Sequence, residues 1–386
     1  MKILIALTYY QPHKSGLTVY AVRQARALAE MGHKVTVLTS QYDRSLPAHE
    51  YSEGVEVIRL PVAFKLSKGV IMPGMLFKAW QLIKGADVIN LHAPQMDAAS
   101  IALISKLQKK PMVLTYHCDL QMPAGWFNQL AGWAASQANR ITAYLADAIV
   151  HNTRDFAEHS PFLKKFLDKL TVIQPPIVVE SISQAEIAAF RKKYAIQPDR
   201  RIIGMVARLA TEKGVEFLVQ AMPKVLELLP DAQVVFVGEY QHVFGEQAYR
   251  EKLLPMIEAL ADHWIFLGVV NEVDKSAFYQ LTDVLVLPSI NSTESFGMVQ
   301  IEALISGTPV VATDLPGVRQ PVLTTDMGMI VPVMDAPALA SAILSILTSG
   351  MHVDSEKNKR ITDFYAPQTV AEAYDLLYRR LVGDYE

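Results

Sequence analysis

Twice along its 386 residues the chain begins a segment in the same way, with an apolar run, a polar loop that holds glycine, a helix-period stretch and another apolar run. Residues 3–7 lead through a loop at 9–16 to a helix predicted over 17–31, and residues 35–39 follow. Residues 201–207 lead through 208–214 to a helix at 215–229, and residues 234–238 follow. Apolar runs that alternate with helices build βαβ units, whose parallel strands are covered on both faces. Strands near 55–60, 88–92, 112–117 and 148–151 extend the first series, and 265–268, 284–288 and 309–312 extend the second. The expectation is an α/β chain with two doubly wound parallel-sheet domains, residues 1–178 and 179–365. The break falls at Gln174-Pro175-Pro176-Ile177, and a last helix is predicted at 369–381.

A chain that is 51% hydrophobic and 19% charged can bury a core in each domain. Its one cysteine, Cys118, excludes an intramolecular disulfide and fits a reducing, cytoplasmic setting. Residues 1–8 are too short an apolar run to span a membrane and lack a signal-cleavage pattern, so they read as the first strand. The net charge of −3 hides an asymmetry: residues 1–178 hold 19 Lys plus Arg against 12 Asp plus Glu, and the remainder holds 17 against 27. Basic residues stand among apolar ones at 64–70 and 162–170. Such stretches suit peripheral contact with an anionic membrane surface, and the competing reading is an amphipathic helix with a solvated basic face. Nothing in the slightly acidic total or the motifs points to nucleic acid.

The chemistry concentrates in two strand-to-helix loops. After the apolar run 283–287 comes Pro288-Ser289-Ile290-Asn291-Ser292-Thr293-Glu294-Ser295-Phe296-Gly297-Met298-Val299, and a helix then runs to about Ser306, with Gly307 and Pro309 beyond. A helix that starts at the carboxyl edge of a sheet offers N–H groups and a positive dipole end to phosphate. Glu294 before the helix and Glu302 within it would flank such a ligand, although each also reads as a capping or solvated residue. Glu302 has mostly apolar helical neighbours, Met298, Val299, Ile305 and Ser306, so its carboxylate needs donors, which ligand hydroxyls would supply. In the other loop Arg208 and Lys213 are two cations five apart that can reach one diphosphate.

Arg208 with Lys213-Gly214, then Gly238-Glu239, then Glu294 and Glu302, in this order and spacing, resemble glycosyltransferase family 4. These are retaining nucleotide-sugar transferases of the GT-B architecture, with two Rossmann-like domains that face a central cleft. The resemblance extends over essentially the whole chain, through the Ser15-Gly16 loop, His117 and the C-terminal helix, which in the family crosses back onto the first domain. It implies that Arg208 and Lys213 neutralise the donor diphosphate, helped by the N–H groups of Gly297 and Met298 in the Phe296–Val299 segment. Glu302 would hold the ribose hydroxyls, and Glu294 would contact the donor sugar near its C3 and C4 hydroxyls. Gly16 would admit the diphosphate close to the backbone, and Ser15, where many relatives carry a second glycine, would offer a further hydroxyl contact. His117 would contact the transferred sugar, Asp119 would orient His117 or an acceptor hydroxyl, and Pro123, Trp126 and Phe127 would meet the acceptor. Uracil is read by backbone after a strand such as 265–268, which makes Val269 and Val270 the candidate contacts.

Two side-chain cations on the leaving group and no Asp-x-Asp loop imply a metal-independent enzyme without a cofactor. The donor expected is a UDP-sugar, UDP-glucose before GDP-mannose, and the acceptor is a saccharide or lipid-linked molecule of a cell-surface pathway. Three other classes stay in view. A phosphorylase or glycogen synthase shares the architecture in longer chains. A dehydrogenase would need Gly-x-Gly-x-x-Gly after the first strand, which residues 9–16 lack. An epimerase or a non-catalytic sugar-nucleotide binder shares the fold.

Overall fold

The order in which strands lie side by side reverses once in each half of the molecule, and that reversal fixes where a ligand can approach. The computed structural model describes residues 1–66, 69–119, 126–351 and 355–383. Two compact units divide it, one of Met1–Ile177 with Phe364–Glu386 and one of Val178–Asp363.

In the first unit the strands are β1 (Lys2–Ala6), β2 (Lys34–Gln41), β3 (His49–Ser52), β4 (Val55–Pro61), β5 (Phe64–Leu66), β6 (Gly69–Ile71), β7 (Val88–Ala93), β8 (Met112–Tyr116), β9 (Ala148–His151) and β10 (Leu170–Val172). Eight of them form one sheet in the order β10-β9-β8-β7-β1-β2-β4-β3, parallel except for β3 on β4. All residues of β7, β8 and β9 are buried, as strands covered on both faces must be. The chain passes from β1 to β2 on one side and returns to β7 on the other, so β1 and β7 bound the switch point.

The second unit contains β11 (Arg201–Val206), β12 (Ala232–Val237), β13 (Trp264–Gly268), β14 (Val284–Leu287), β15 (Val310–Thr313) and β16 (Gly328–Val331). Their order is β13-β12-β11-β14-β15-β16 with every pair parallel, the doubly wound arrangement whose switch point lies between β11 and β14. The helix Val215–Leu228 covers one face because Val215, Leu218, Val219, Met222 and Val225 recur at helical spacing and are all buried. Each contributes about 1.5–3 kcal/mol by leaving water.

The helix Pro367–Val382 belongs to the first unit. It docks through polar groups as well as apolar ones. The hydroxyl of Tyr374 lies 2.8 Å from that of Tyr20, and the Asn90 amide donates to the Tyr378 hydroxyl at 2.6 Å. Thr115 Oγ1 donates to Asn90 Oδ1 at 2.9 Å. Satisfied bonds of this kind are worth about 1 kcal/mol each, and they fix the helix in one rotational setting.

The two basic segments differ from the helices the sequence allowed. In the first, β5 pairs antiparallel with β6. Residues 163–169 form two single 3₁₀ turns that lead into β10, with the Phe162 ring 4.6 Å from that of Tyr116. Val70 and Leu163 are buried in these segments while Lys65, Lys164 and Lys165 are exposed, without a helix in the first and with only 3₁₀ turns in the second.

Candidate functional site

At the switch point of the second unit, the loops after β11 and β14 are pressed together. The Ile290 N–H donates to the Glu212 carbonyl at 3.1 Å. Gly214 has φ +63°, and a Cβ there would lie 2.1 Å from the Pro288 carbonyl oxygen. Only glycine meets both demands.

This contact brings Lys213 and Glu294 together. Lys213 Nζ donates to Glu294 Oε2 at 2.6 Å, and the two side chains are only 19% and 16% exposed. Arg208 Nη2 donates to Glu212 Oε1 at 2.9 Å on a more open side chain. An exposed pair four residues apart contributes well under 1 kcal/mol, so an incoming diphosphate can displace Glu212 at little cost.

Gly297 opens the helix Met298–Ile305 at φ +78°, where a Cβ would lie 2.4 Å from Leu287 Cδ2. Gln300 Nε2 holds this turn by donating to the carbonyls of Phe296 (2.8 Å) and Val318 (2.9 Å). Its N-cap glycine offers no side chain, and neither does Gly214 before the helix Val215–Leu228, where the Tyr249 hydroxyl accepts from the Glu216 N–H at 3.3 Å instead. The first N–H groups of the helix Met298–Ile305, Met298 and Val299 among them, therefore add positive potential at this sheet edge.

Glu302 lies deeper, 4% exposed. Its donors come from the neighbouring helix Glu272–Leu281: the Tyr279 hydroxyl at 2.9 Å and Lys275 Nζ at 3.4 Å. Lys275 also pairs with Glu272 at 2.8 Å. The apolar surroundings read from its own helix are real, but a second helix satisfies the carboxylate, so ligand hydroxyls are not required to do so. Lys275 and Tyr279 escaped sequence reading, although their spacing of four places them on one helix face.

The loops after β12 and β13 adjoin this edge. Gly238 N–H donates to the Gly268 carbonyl, and Leu209 N–H to the Glu239 carbonyl, both at 2.8 Å. Val270 is buried beyond β13, and Val269 is exposed.

In the first unit, His117 follows β8 at the carboxyl edge. His117 Nε2 lies 2.9 Å from Nδ1 of His92, the penultimate residue of the neighbouring strand β7, and the two rings stack with centroids 5.2 Å apart. Burial, reinforced by nearby His92 and His151, holds His117 well below the usual imidazole range. Burial alone pushes His92 down to about 3. Both are neutral at pH 7, so a single proton is shared in the pair. His92, which the sequence reading passed over, is thus a ring set against His117. Asp119, expected to orient His117 or an acceptor hydroxyl, accepts from Tyr116 (3.1 Å) and Ser160 (2.7 Å) through Oδ1.

Ser15 caps the helix Gly16–Glu30: its hydroxyl accepts from Thr18 N–H at 3.2 Å and donates to Thr18 Oγ1 at 3.0 Å. The hydroxyl expected to serve a ligand is engaged in starting the helix. Gly16 is the exposed first residue of that helix. Trp126 begins the helix Trp126–Leu145, but its side chain, that of Phe127, and Pro123 lie outside the described residues. Among the described residues no group of His, Cys, Asp and Glu is arranged to hold a metal ion.

Comparison with known proteins agrees with this layout. Residues 186–364 match the family described as Glycosyl transferases group 1, and residues 15–175 match the Glycosyl transferase 4-like domain. An uncharacterised glycosyltransferase of Methanocaldococcus jannaschii is 28% identical over 335 residues, 83% of this chain and 82% of that one. The phosphatidyl-myo-inositol mannosyltransferase of Mycobacterium leprae is 26% identical over 354 residues, 90% of this chain and 87% of that one. Among solved structures, Anabaena HepE in complex with UDP-glucose superposes with a TM-score of 0.78 at 20% identity, over 99% of this chain and 100% of that one. Sucrose-phosphate synthase from Thermosynechococcus elongatus gives 0.75 at 21% identity over the full length of both. The chain belongs to the family 4-type glycosyltransferases, built on the GT-B fold of two Rossmann-like domains.

Proposed function

We propose that this glycosyltransferase moves a hexosyl group from a UDP-sugar, UDP-glucose foremost, to a hydroxyl of a saccharide or lipid-linked acceptor, with retention at C1 and without a divalent ion. The observation that carries the reading is the pairing of Lys213 with Glu294 at 2.6 Å beside Arg208, at the sheet edge where the helix Met298–Ile305 starts from Gly297 without a side-chain cap. Cations and N–H groups are concentrated where a diphosphate gains charge, and a carboxylate stands where a sugar hydroxyl would need an acceptor.

As the C1–O bond to the nucleoside diphosphate breaks, Arg208 exchanges Glu212 for a phosphate oxygen, and Lys213 balances the charge that develops on the leaving group. Glu294 then accepts from the donor sugar, and Glu302 from the ribose hydroxyls. The acceptor oxygen forms its bond to C1 on the face the diphosphate leaves, and its proton passes to a departing phosphate oxygen. His117 is assigned to the transferred sugar and Gly16 to the diphosphate. The UDP-glucose complex of Anabaena HepE supports the choice of uridine.

A second reading, mannosyl transfer from GDP-mannose, is favoured by the similarity to phosphatidyl-myo-inositol mannosyltransferases. Slow donor hydrolysis, followed with UDP-glucose, GDP-mannose and ADP-glucose in EDTA, decides between them. Release of UDP supports the proposal, release of GDP alone supports the second reading, and turnover that returns only with manganese contradicts metal independence.

A further inference from the structure

The helix Met75–Gly85 is built inside out for a solvated surface helix. Met75, Ala79 and Ile83 fill the core, yet its outer face carries Leu76, Phe77 (70% exposed) and Trp80 (48% exposed). Surface helices ordinarily turn charged residues outward. The neighbouring helix Ala98–Leu107 repeats the pattern, with Ile101 and Ala102 inside and Leu103 and Leu107 exposed. The helix Trp126–Leu145, packed on the second, exposes Trp133 (63%), Ile141 and Tyr144 (75%) along one stripe of four- and three-residue steps. A hydrogen bond from Gln108 Nε2 to the Trp80 carbonyl, at 3.0 Å, joins the first two helices. Eight large apolar side chains so placed form a patch of a kind soluble monomers seldom leave in water.

Its charge says what covers it. None of the three helices contains an Asp or a Glu, and their charged residues are Lys78, Lys84, Lys106 and Arg140. Lys109 and Lys110 follow closely, while the flanking carboxylates stand at the helix ends: Asp97 precedes the second helix, and Asp87 and Asp147 accept from the backbone N–H groups of Lys2 and Met112. A protein partner or a second copy would find few ion-pair acceptors here to satisfy, whereas aromatics interleaved with cations along helices free of carboxylates match the headgroup layer of a negatively charged bilayer. No helix of the described residues is long and apolar enough to cross a membrane, so contact would be from the surface.

We infer that the helices Met75–Gly85, Ala98–Leu107 and Trp126–Leu145 form a docking face for an anionic lipid bilayer. Phe77, Trp80 and Trp133 enter the headgroup region while Lys84, Lys106 and Arg140 neutralise lipid phosphates around them. The docking face is a different one from the basic stretches at 64–70 and 162–170, and it would bring the enzyme to a membrane whichever nucleotide it uses.

Co-sedimentation of the full-length protein with vesicles of phosphatidylcholine, alone or with a third phosphatidylglycerol, tests this. The expected result is binding to the anionic vesicles only, weakened at least tenfold by 0.5 M salt, by Phe77→Ser with Trp80→Ser, and separately by Lys84→Glu with Lys106→Glu. Donor hydrolysis in solution stays at the native rate in every variant, so loss of lipid binding and loss of donor chemistry are read apart. Failure of the native protein to sediment with anionic vesicles overturns the inference, as does equal binding by the variants. A concentration-dependent dimer in light scattering that the Phe77→Ser, Trp80→Ser variant abolishes also overturns it, and would make this face an interface between copies.

Discussion

Lys213 Nζ donates to Glu294 Oε2 across 2.6 Å although 81 residues separate them in the chain, so the ammonium at the second unit's switch point is neutralised before any ligand arrives. Two mostly buried side chains in such contact hold each other in place and keep either charge from being stranded. A diphosphate must therefore compete with Glu294 for the ammonium, and the two functions assigned to this pair can be separated by substitution.

Glu294→Gln keeps the side-chain shape and removes the charge. Nucleoside diphosphate affinity is expected to stay the same or rise by a few-fold, because Lys213 loses its internal competitor. Turnover with the sugar donor should fall by about 10²–10³ as the sugar loses an ionised acceptor. Calorimetry with UDP beside initial-rate kinetics measures both, and a parallel loss in each would show that the carboxylate only supports the loop.

Glu302 is bonded to Tyr279 and Lys275 inside the protein, so its removal tests binding and stability together. With Glu302→Gln, UDP affinity should fall about tenfold and stability by about 1–3 kcal/mol, since Lys275 retains Glu272 as a partner. The Tyr279→Phe variant should show the stability loss with much the smaller effect on affinity. Equal affinity losses in both variants would assign Glu302 to packing alone.

Gly214→Ala forces an alanine into left-handed backbone against the Pro288 carbonyl. Destabilisation of the second unit by about 2 kcal/mol or more is expected, along with weaker diphosphate binding as the Lys213 loop moves away from Glu294. Denaturant melts with and without UDP give both quantities, and a native-like melt would show that the loops are not pressed together.

Three histidines at the carboxyl edge of the first unit make its stability pH-dependent. Burial pushes His92 down to about 3 and His151 to about 4, and holds His117 well below the usual range. The unfolded chain takes up protons at these groups near pH 6.5 while the folded chain does not, so stability falls as pH drops from about 6.5 towards 4. At pH 5 each contributes about 2 kcal/mol of loss relative to pH 7.5. Melting curves at the two values should show a smaller shift for His151→Gln than for the native protein. An unchanged shift would place the titrating groups elsewhere.

The parallel sheets were legible because their strands are continuous apolar runs, and the ends of β7, β9 and β14 fall within a residue or two of those runs. Short edge strands were not: β3, β10 and β16 have three or four residues of mixed exposure, too few to carry a periodic signal. At the site, Arg208, Lys213, Glu294 and Glu302 could be picked out because spacing along the chain places them after strands. Their partners could not, since His92, Lys275 and Tyr279 become neighbours only through strand order and helix packing. Ser15 shows the reverse case, a loop hydroxyl that suggests a ligand contact until the cap it makes to Thr18 is seen.

Calorimetric titration of UDP into the native protein and into Lys213→Ala tests the central assignment most directly. Loss of the ammonium beside the diphosphate is predicted to raise Kd at least tenfold and to cut donor turnover by about 10² or more, with the second unit still folded but melting lower because Glu294 loses its partner. A Kd and a turnover equal to the native values would contradict a diphosphate site at Lys213 and Glu294.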